Sequence, residues 1–440
     1  MSNSSQPSAT ALGSPPGRIS AAWATMRRWK MRLVYAFADQ GLYSATNFAL
    51  TILYAVSLPI DDFGRYVVVW TAALFIEAIQ TSLIIDALPA IVSRYSRRNR
   101  QRLDRAAIWV VAVFSLGSSA LLAVAALILS QTFPTYAWPA VVLALINPLQ
   151  RFYLFFRRLC YIRDRQSVAA AAAVAYAATS LGGAVVLTTL QLLTVPAAIA
   201  LSGLGAATAI VVVLGLDIGR SVRSRPAHVI WLAARIWKAS RWLTPAAAMS
   251  WLITWGIFPL IAALSGPAIA GIVRALQNLL TPVVQFNAAL NLAILPRIAD
   301  NVSDRGHGYA QRFALHGTAI FTSSALTYCI LVIAAAPVLL PIIYRKPEIA
   351  ASASLLWPLS LTIMCEAARG ASSISLLATH RTRAVFVARV VGLATFASAG
   401  LPLGYFMGAP GILWANALGT AVNTGMVMAA AIKRPTASTP

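Results

Sequence analysis

The sequence predicts an all-α polytopic membrane protein with about twelve transmembrane helices. Hydrophobic residues make up 59% of its 440 residues and charged residues only 11%, and the mean hydropathy is +0.73. Because a soluble globular domain carries about 25% charged residues, a water-soluble fold is excluded. Twelve apolar stretches reach the length of about 20 residues that a helix needs to cross a bilayer. Lipid offers no partner to backbone polar groups, so these stretches are predicted to be helices.

The twelve predicted helices form two groups of six. The first group covers roughly 33 to 57, 67 to 92, 106 to 130, 136 to 156, 167 to 190 and 194 to 216. The second covers roughly 243 to 264, 268 to 295, 313 to 336, 351 to 378, 384 to 406 and 410 to 432. The predicted organisation is therefore a cytoplasmic segment (1–32), an N-lobe (33–216), a cytoplasmic linker (217–242), a C-lobe (243–432) and a cytoplasmic tail (433–440).

Basic residues are divided unevenly between the two sides of the membrane. Of 35 Lys and Arg, 29 fall in the termini and in alternate loops, five of them in the loop assigned after the fourth predicted helix. The other six are Arg65, Arg345 and Lys346 on the opposite face and Arg274, Arg369 and Arg389 inside predicted helices. Because cytoplasmic loops carry an excess of Lys and Arg, both termini are predicted to be cytoplasmic. This asymmetry accounts for the net charge of +23 without nucleic acid as a partner.

The two halves show a short internal repeat. A shift of 207 residues places Gly64 on Gly271 and the Leu-Pro-Ala-Ile sequence at 88–91 on Leu-Pro-Arg-Ile at 295–298. Both segments belong to the second helix of their half. Parallel repeats of six spans predict two six-helix lobes around a central cavity, related by an axis along the membrane normal.

The eighth predicted helix carries a polar stripe at offsets 0, 3, 4, 7 and 11, which lie on one helix face. Its members are Arg274, Gln277, Asn278, Thr281 and Gln285, and Asn287 and Asn291 form a neighbouring row. A charge at the bilayer centre costs about 2.5 to 3.5 kcal/mol, so Arg274 predicts a water-filled cavity. The alternative is that the stripe bonds neighbouring helices, which contributes about 0.6 kcal/mol per bond.

Acidic residues lie on polar stripes of three other helices. These stripes are Asp39, Tyr43, Thr46 and Asn47 in the first helix, Glu77, Gln80 and Thr81 in the second, and Glu366, Arg369, Gly370 and Ser373 in the tenth. Asp39 is about two turns from the basic end of its helix, so snorkelling or an ion pair with Arg32 is an alternative to a functional role. Glu366 and Arg369 are three residues apart and can neutralise each other.

Several classes of function lack their sequence motifs. There is no Gly-rich phosphate loop ending in Lys and Ser or Thr, no metalloprotease His pair and no Gly-flanked nucleophilic Ser. We therefore predict no enzyme, no catalytic residue, no cofactor and no metal site, and without an ATP site we exclude a primary pump. The largest extracytoplasmic loop, about 337 to 350, is too short for the catalytic domain of a membrane-embedded sugar polymerase or ligase.

The residues around the first two helices resemble a known family. The sequence Ala38-Asp39-Gln40-Gly41 through Asn47, the turn Asp61-Asp62-Phe63-Gly64-Arg65-Tyr66 and the twelve-span layout are similar to bacterial polysaccharide transporters, the O-antigen-type oligosaccharide flippases. These belong to the multidrug, oligosaccharidyl-lipid and polysaccharide exporter superfamily. The local motifs cover about residues 36 to 92, and the topology covers most of the chain.

This resemblance implies a protein of the bacterial cytoplasmic (inner) membrane that works by alternating access. Its substrate would be an undecaprenyl-pyrophosphate-linked oligosaccharide, moved to the outer leaflet for surface polysaccharide or exopolysaccharide synthesis, with possible partners in the polymerase and export machinery. Arg274 and Arg369 would bind the pyrophosphate. Gln277, Asn278, Gln285 and Asn47 would bind the substrate with them.

Ion coupling by H⁺ or Na⁺ is assigned to three candidate carboxylates, Asp39, Glu77 and Glu366. The alternative function is a multidrug or cation antiporter of the same superfamily. Such an exporter would present uncompensated acids in its cavity, whereas the eighth helix presents Arg274. The sign of the cavity charge therefore favours the flippase.

Overall fold

The computed structural model describes residues 18–92, 95, 97–218, 226–305, 307–379 and 381–433. Within them the regular elements are helices: α1 (Arg18–Ser57), α2 (Ile60–Gln80), α3 (Ala87–Val92), α4 (Arg97–Thr132), α5 (Pro134–Ile162), α6 (Gln166–Thr189), α7 (Val195–Val213), α8 (Pro226–Ser240), α9 (Leu243–Thr254), α10 (Ile257–Ser265), α11 (Pro267–Arg305), α12 (His307–Tyr344), α13 (Pro347–Ala351), α14 (Leu356–Ala378), α15 (Thr382–Met407) and α16 (Ala409–Ile432). π-Helical turns at Thr81–Ile85 and Leu214–Ile218 follow α2 and α7, and a 3-10 turn at Ala353–Leu355 precedes α14. The side chains of Arg32 and Asn291 lie outside the described residues.

The predicted all-α polytopic membrane fold is confirmed. Ten helical segments of the described chain are long and apolar enough to cross a membrane. The two further predicted spans correspond to α1 and α14, whose polar stripes make them less apolar. Large apolar side chains are exposed on the outside of the bundle, as at Leu145 (70% exposed) and Phe406 (82% exposed), where lipid would cover them.

Helices pack mainly against others of the same half of the chain. In the first half α1 packs on α6, and α5 packs on α4 and α7. In the second half α14 packs on α12 and α16, and α15 packs on α16. The contact between α2 and α11, the second long helix of each half, is the most extensive one between the halves. The division into an N-lobe and a C-lobe around a cavity stays a prediction.

Helix α5 is longer than the sequence predicts. The apolar stretch was expected to end at 156, and Arg151 and Arg157 were counted with the basic loop. Instead α5 continues to Ile162 and both arginines are inside it, only 2% and 8% exposed. Hydropathy places the end of the span near these arginines, but the helix continues. Inside it Arg157 pairs with Asp39, whereas Arg151 has only weak polar contacts.

The predicted linker contains a helix that the sequence analysis did not predict. Helix α8 packs against α4, with Leu232 fully buried and Ile236 2% exposed. Residues 219–225 of the linker lie outside the described part of the chain.

Helices α2 and α11 cross at two glycines. A Cβ atom on Gly64 would lie 1.8 Å from the carbonyl oxygen of Pro267, and one on Gly271 would lie 3.0 Å from the backbone nitrogen of Gly64. These are the glycines that the repeat places on each other. Nearby, the Lys346 ammonium donates a hydrogen bond to the carbonyl of Leu58, and burial lowers the pKa of Lys346. The halves are therefore in backbone contact at this end of the bundle.

Replacing Gly64 with alanine is expected to lower the thermal unfolding midpoint of the purified protein in detergent. The added methyl group meets backbone atoms that cannot rotate away, and overpacking of this kind costs about 1 to 3 kcal/mol. The matched control is Gly117→Ala in α4, where nothing lies within 4 Å of the added methyl group. Alanine has the better helix propensity, so the control midpoint is expected to stay the same or rise. Equal midpoints for the two variants would refute the close crossing.

Candidate functional site

Asp39 is held by an arginine and a tyrosine of α5. The Arg157 Nε–H donates to both carboxylate oxygens of Asp39 at 2.9 Å, and the Tyr161 hydroxyl donates to Oδ2 at 2.6 Å. Arg157 also donates to Gln40 Oε1 at 3.0 Å, and its guanidinium lies 4.4 Å from the centre of the Tyr43 ring. Asp39 is 0% exposed, so it is neither snorkelling nor facing solvent. Charge-assisted hydrogen bonds of this kind are what a buried carboxylate requires.

Arg151, one and a half turns earlier on α5, has much weaker partners. Its nitrogens lie 3.5 Å from Gln80 Oε1, 3.5 Å from Gln150 Oε1 and 4.0 Å from Glu77 Oε2. Its Nε has no hydrogen-bond partner among the described residues. Because Arg151 is only 2% exposed, this is a buried positive charge with marginal compensation.

A cleft of about 20 Å³ lies beside these charges. It is lined by Tyr43, Trp70, Ala73, Glu77, Gln150, Arg151, Tyr153, Leu154, Arg157, Tyr176 and Ala206. A space of this volume holds a water molecule but no organic substrate. In this conformation the cleft therefore suits an ion or water better than a lipid-linked sugar.

Arg274 lies where α11 meets α2. Its guanidinium is 4.9 Å from the centre of the Trp255 ring and donates to Gln277 Oε1 at 2.9 Å. Tyr66 of α2 and Tyr344 of α12 lie in its vicinity. Within the described part of the chain no carboxylate lies within 4.0 Å of Arg274. The positive charge is thus stabilised by the Trp255 ring and the Gln277 amide, without a paired carboxylate in the described structure.

An aromatic row on α2 joins Arg274 to the cleft. The Tyr66 ring stacks on Trp70 with centroids 5.8 Å apart, and Trp70 lines the cleft that contains Glu77. Tyr66, Trp70 and Glu77 are at offsets 0, 4 and 11, so they lie on one face of α2. The Arg274 site and the cleft are therefore neighbouring parts of one polar region.

The other predicted substrate residues are in different environments. Asn278 is 1% exposed and its Nδ2 donates to the carbonyl of Phe48 at 3.3 Å, so in this conformation it bonds α11 to α1. Asn47 donates to the carbonyl of Tyr43 at 3.0 Å and accepts from the Tyr176 hydroxyl at 3.4 Å. Gln285 is exposed.

A second basic site lies on α14 and α15. Arg369 is ion-paired with Glu366, as the spacing of three residues predicted, and its Nη1 is 3.5 Å from Ser373 Oγ. The Arg369 Nε is buried without a hydrogen-bond partner in the described structure. Arg389 donates to the carbonyl of Ala246 at 3.2 Å and to the Ser250 hydroxyl of α9, and it interacts electrostatically with Arg369. Of these two arginines, only Arg369 is paired with a carboxylate in the described structure.

Sequence reasoning missed Arg151 and Arg157 as candidate residues. Their only signal was basic residues at the end of the apolar segment 136–156, Arg151 inside it and Arg157 directly after it, and the positive-inside pattern assigned both to a loop. Offsets of 0 and 6 between them also give no shared helix face. Their contacts with α1 and α2 appear only in three dimensions.

Solved structures with the same fold are transporters. A multidrug resistance MATE family transporter of the MOP superfamily, in an inward-facing conformation, matches with a TM-score of 0.76 at 10% identity, over 90% of this chain and 97% of that chain. The lipid II flippase MurJ, in an inward closed conformation, matches with a TM-score of 0.69 at 12% identity, over 90% of this chain and 87% of that chain. The MATE multidrug transporter DinF-BH matches with a TM-score of 0.65 at 13% identity, over 92% of this chain and 94% of that chain. Identities of this size show the fold alone.

No family model matches the sequence, and no curated protein matches it significantly.

Proposed function

We propose that this protein is a secondary transporter that moves an undecaprenyl-pyrophosphate-linked oligosaccharide from the inner to the outer leaflet by alternating access. The observation that carries the proposal is Arg274, a half-buried guanidinium without a carboxylate partner among the described side chains. A pyrophosphate that leaves water needs charge-assisted hydrogen bonds, and arginine supplies them in a planar fork. The second basic site supports the same substrate, because Arg369 is paired only with Glu366 and Arg389 has no carboxylate within 4.0 Å among the described residues.

The amides take secondary roles in this proposal. Gln277 accepts a hydrogen bond from Arg274, so it orients the guanidinium and can turn to a sugar hydroxyl when the pyrophosphate takes its place. Gln285 is exposed and free to bind sugar. Asn278 bonds the carbonyl of Phe48, so it reaches substrate only if α1 and α11 move apart. Asn47 is held by Tyr43 of its own helix and by Tyr176 of α6, so it reaches substrate only if these bonds open.

The candidate coupling residues differ in how strongly they are neutralised. Asp39 receives three hydrogen bonds and is fully buried. Glu77 is 34% exposed and 4.0 Å from its nearest cation, and it lines a cleft that admits water. Of the three carboxylates, including Glu366, we therefore favour Glu77 for binding H⁺ or Na⁺.

A multidrug or cation antiporter remains the second candidate, and a specific observation favours it. The cleft places the Glu77 carboxylate among the rings of Tyr43, Trp70, Tyr153 and Tyr176, a combination that attracts cations. Two of the structurally similar proteins are multidrug transporters by name. Against this candidate, Arg151 and Arg157 line the same cleft and repel a cationic drug.

The experiment compares the two substrate classes in vesicles that contain the purified protein. We expect protein-dependent movement of an undecaprenyl-pyrophosphate-linked oligosaccharide, detected by loss of its sugar to an enzyme added outside, and no protein-dependent movement of a cationic dye. Protein-free vesicles are the control for leakage. Movement of the dye but not of the lipid would replace the flippase with the antiporter.

The proposal also includes the membrane, the orientation and the partners of the protein. The basic loops support an N-in, C-in orientation in the bacterial cytoplasmic membrane. Polymerase and export components that take up the flipped sugar are the proposed partners.

A further inference from the structure

Helix α8 is fixed to the helix bundle by one face. Leu232 and Ile236 are buried, and the Ser240 hydroxyl donates to the carbonyl of Leu83 at 2.7 Å. These residues are four apart and form a single stripe against α4 and the turn after α2. The opposite side of α8 carries side chains that are exposed in the described structure.

The depth of α8 in the membrane can be inferred from its two neighbours, α9, which follows it in the chain, and α4, on which it packs. Two residues, Arg241 and Trp242, separate it from α9, which opens a candidate membrane span at Leu243. Helix α4, on which it packs, opens another candidate span at Arg102. Because α8 lies beside the starts of two spans, it lies at the membrane surface, on the side that the basic loops assign to the cytoplasm.

The exposed side of α8 and the turn after it, which contains Arg241 and Trp242, combine large apolar and basic side chains. Ile230, Trp237 and Trp242 are 70%, 60% and 72% exposed. Exposed apolar groups of this size mark an interaction surface, and tryptophan is enriched where protein meets the lipid headgroups.

The charges on this side are all positive. Arg235, Lys238 and Arg241 are exposed, and residues 226–242 contain no Asp or Glu. Two of the guanidiniums lie against indole rings, Arg235 at 5.3 Å from the centre of the Trp231 ring and Arg241 at 5.8 Å from Trp242. A basic amphipathic helix with its tryptophans at the membrane surface attracts anionic lipid.

We propose that α8 and the turn after it form an interfacial segment that binds anionic phospholipid headgroups through Arg235, Lys238 and Arg241, with Trp237 and Trp242 inserted beside the headgroups. This binding is independent of the transported substrate. It holds the connection between the two halves of the chain at the membrane surface.

The first test counts lipids bound to the intact protein by native mass spectrometry, with phosphatidylglycerol and phosphatidylcholine as probes. Wild type is expected to prefer phosphatidylglycerol. Arg235→Gln/Lys238→Gln/Arg241→Gln is expected to weaken this binding by about tenfold or more, since each basic residue near an anionic surface contributes about 1 kcal/mol. The control is Arg312→Gln/Arg383→Gln/Lys433→Gln, three exposed basic residues of other elements. No preference in wild type, or equal losses in both triple variants, overturns the proposal.

The second test measures the depth of the tryptophans in vesicles. Lipids brominated near the headgroup quench tryptophans that lie close to the headgroups. The double variant Trp237→Phe/Trp242→Phe is expected to lose the part of the protein's tryptophan fluorescence that these lipids quench. If the lost fluorescence is instead the part quenched by aqueous iodide, α8 faces water and the lipid proposal fails in favour of a soluble partner.

Discussion

Replacing Arg274 with alanine is expected to slow transbilayer movement of an undecaprenyl-pyrophosphate-linked oligosaccharide by about tenfold to hundredfold, because a hydrogen bond to a charged group contributes about 1.5 to 3 kcal/mol. In the described structure no carboxylate lies within 4.0 Å of Arg274, so its charge would be available to the pyrophosphate of the proposed substrate. The measurement is the initial rate of lipid movement in vesicles reconstituted with each variant.

Two further variants separate charge from geometry at this site. Arg274→Lys keeps the charge but loses the planar fork and its stacking on Trp255, so an intermediate rate is expected. Arg65→Ala is the matched control, since Arg65 is paired with Asp62 at 2.7 Å and is partly exposed; its rate is expected to equal that of wild type. A wild-type rate for Arg274→Ala would exclude Arg274 as the anion-binding residue.

The rate must be interpreted with the stability of the variant. Arg274 makes one side-chain hydrogen bond in the described structure, to Gln277, so Arg274→Ala is expected to unfold close to the wild-type temperature. A slow variant with an unchanged unfolding midpoint would then indicate lost binding and not lost structure.

The membrane-spanning helices could be predicted from the sequence because each one is decided locally. Twenty apolar residues in lipid form a helix whatever surrounds them. The pairing of Glu366 with Arg369 was predictable for the same reason, since three residues separate them on one helix. The Gly64 and Gly271 contact was indicated only indirectly, by the repeat that aligned them.

The polar interior could not be predicted in this way. Asp39 pairs with Arg157, 118 residues later, and the sequence offered only Arg32 as a neighbour on the same helix. Asn278 belongs to a stripe that predicts a wet face, yet its amide bonds Phe48 of α1. Periodicity identifies which face of a helix is polar, but it does not distinguish a cavity from another helix on that face.

Replacing Arg157 with glutamine is expected to destabilise the protein by about 3 to 5 kcal/mol, the usual cost of leaving one partner of a buried ion pair alone. Asp39 is 0% exposed, and without Arg157 its charge retains only the Tyr161 hydroxyl at 2.6 Å. The measurement is the free energy of unfolding in mixed micelles of detergent and denaturing surfactant. Arg158→Gln, the neighbouring arginine on α5, is the matched control and is expected to have the smaller effect, since Arg158 has no ion pair within 4.0 Å in the described structure.

The double variant Asp39→Asn/Arg157→Gln removes both charges at once and is expected to recover most of the lost stability, because the two substitutions are coupled through one contact. Its transport rate then decides the role of Asp39. If stability and lipid movement both return, the pair is structural and coupling belongs to Glu77, whose carboxylate lines the cleft. If stability returns but movement driven by an ion gradient does not, the carboxylate of Asp39 itself takes part in coupling, and Arg157 is the partner from which it must separate in each cycle.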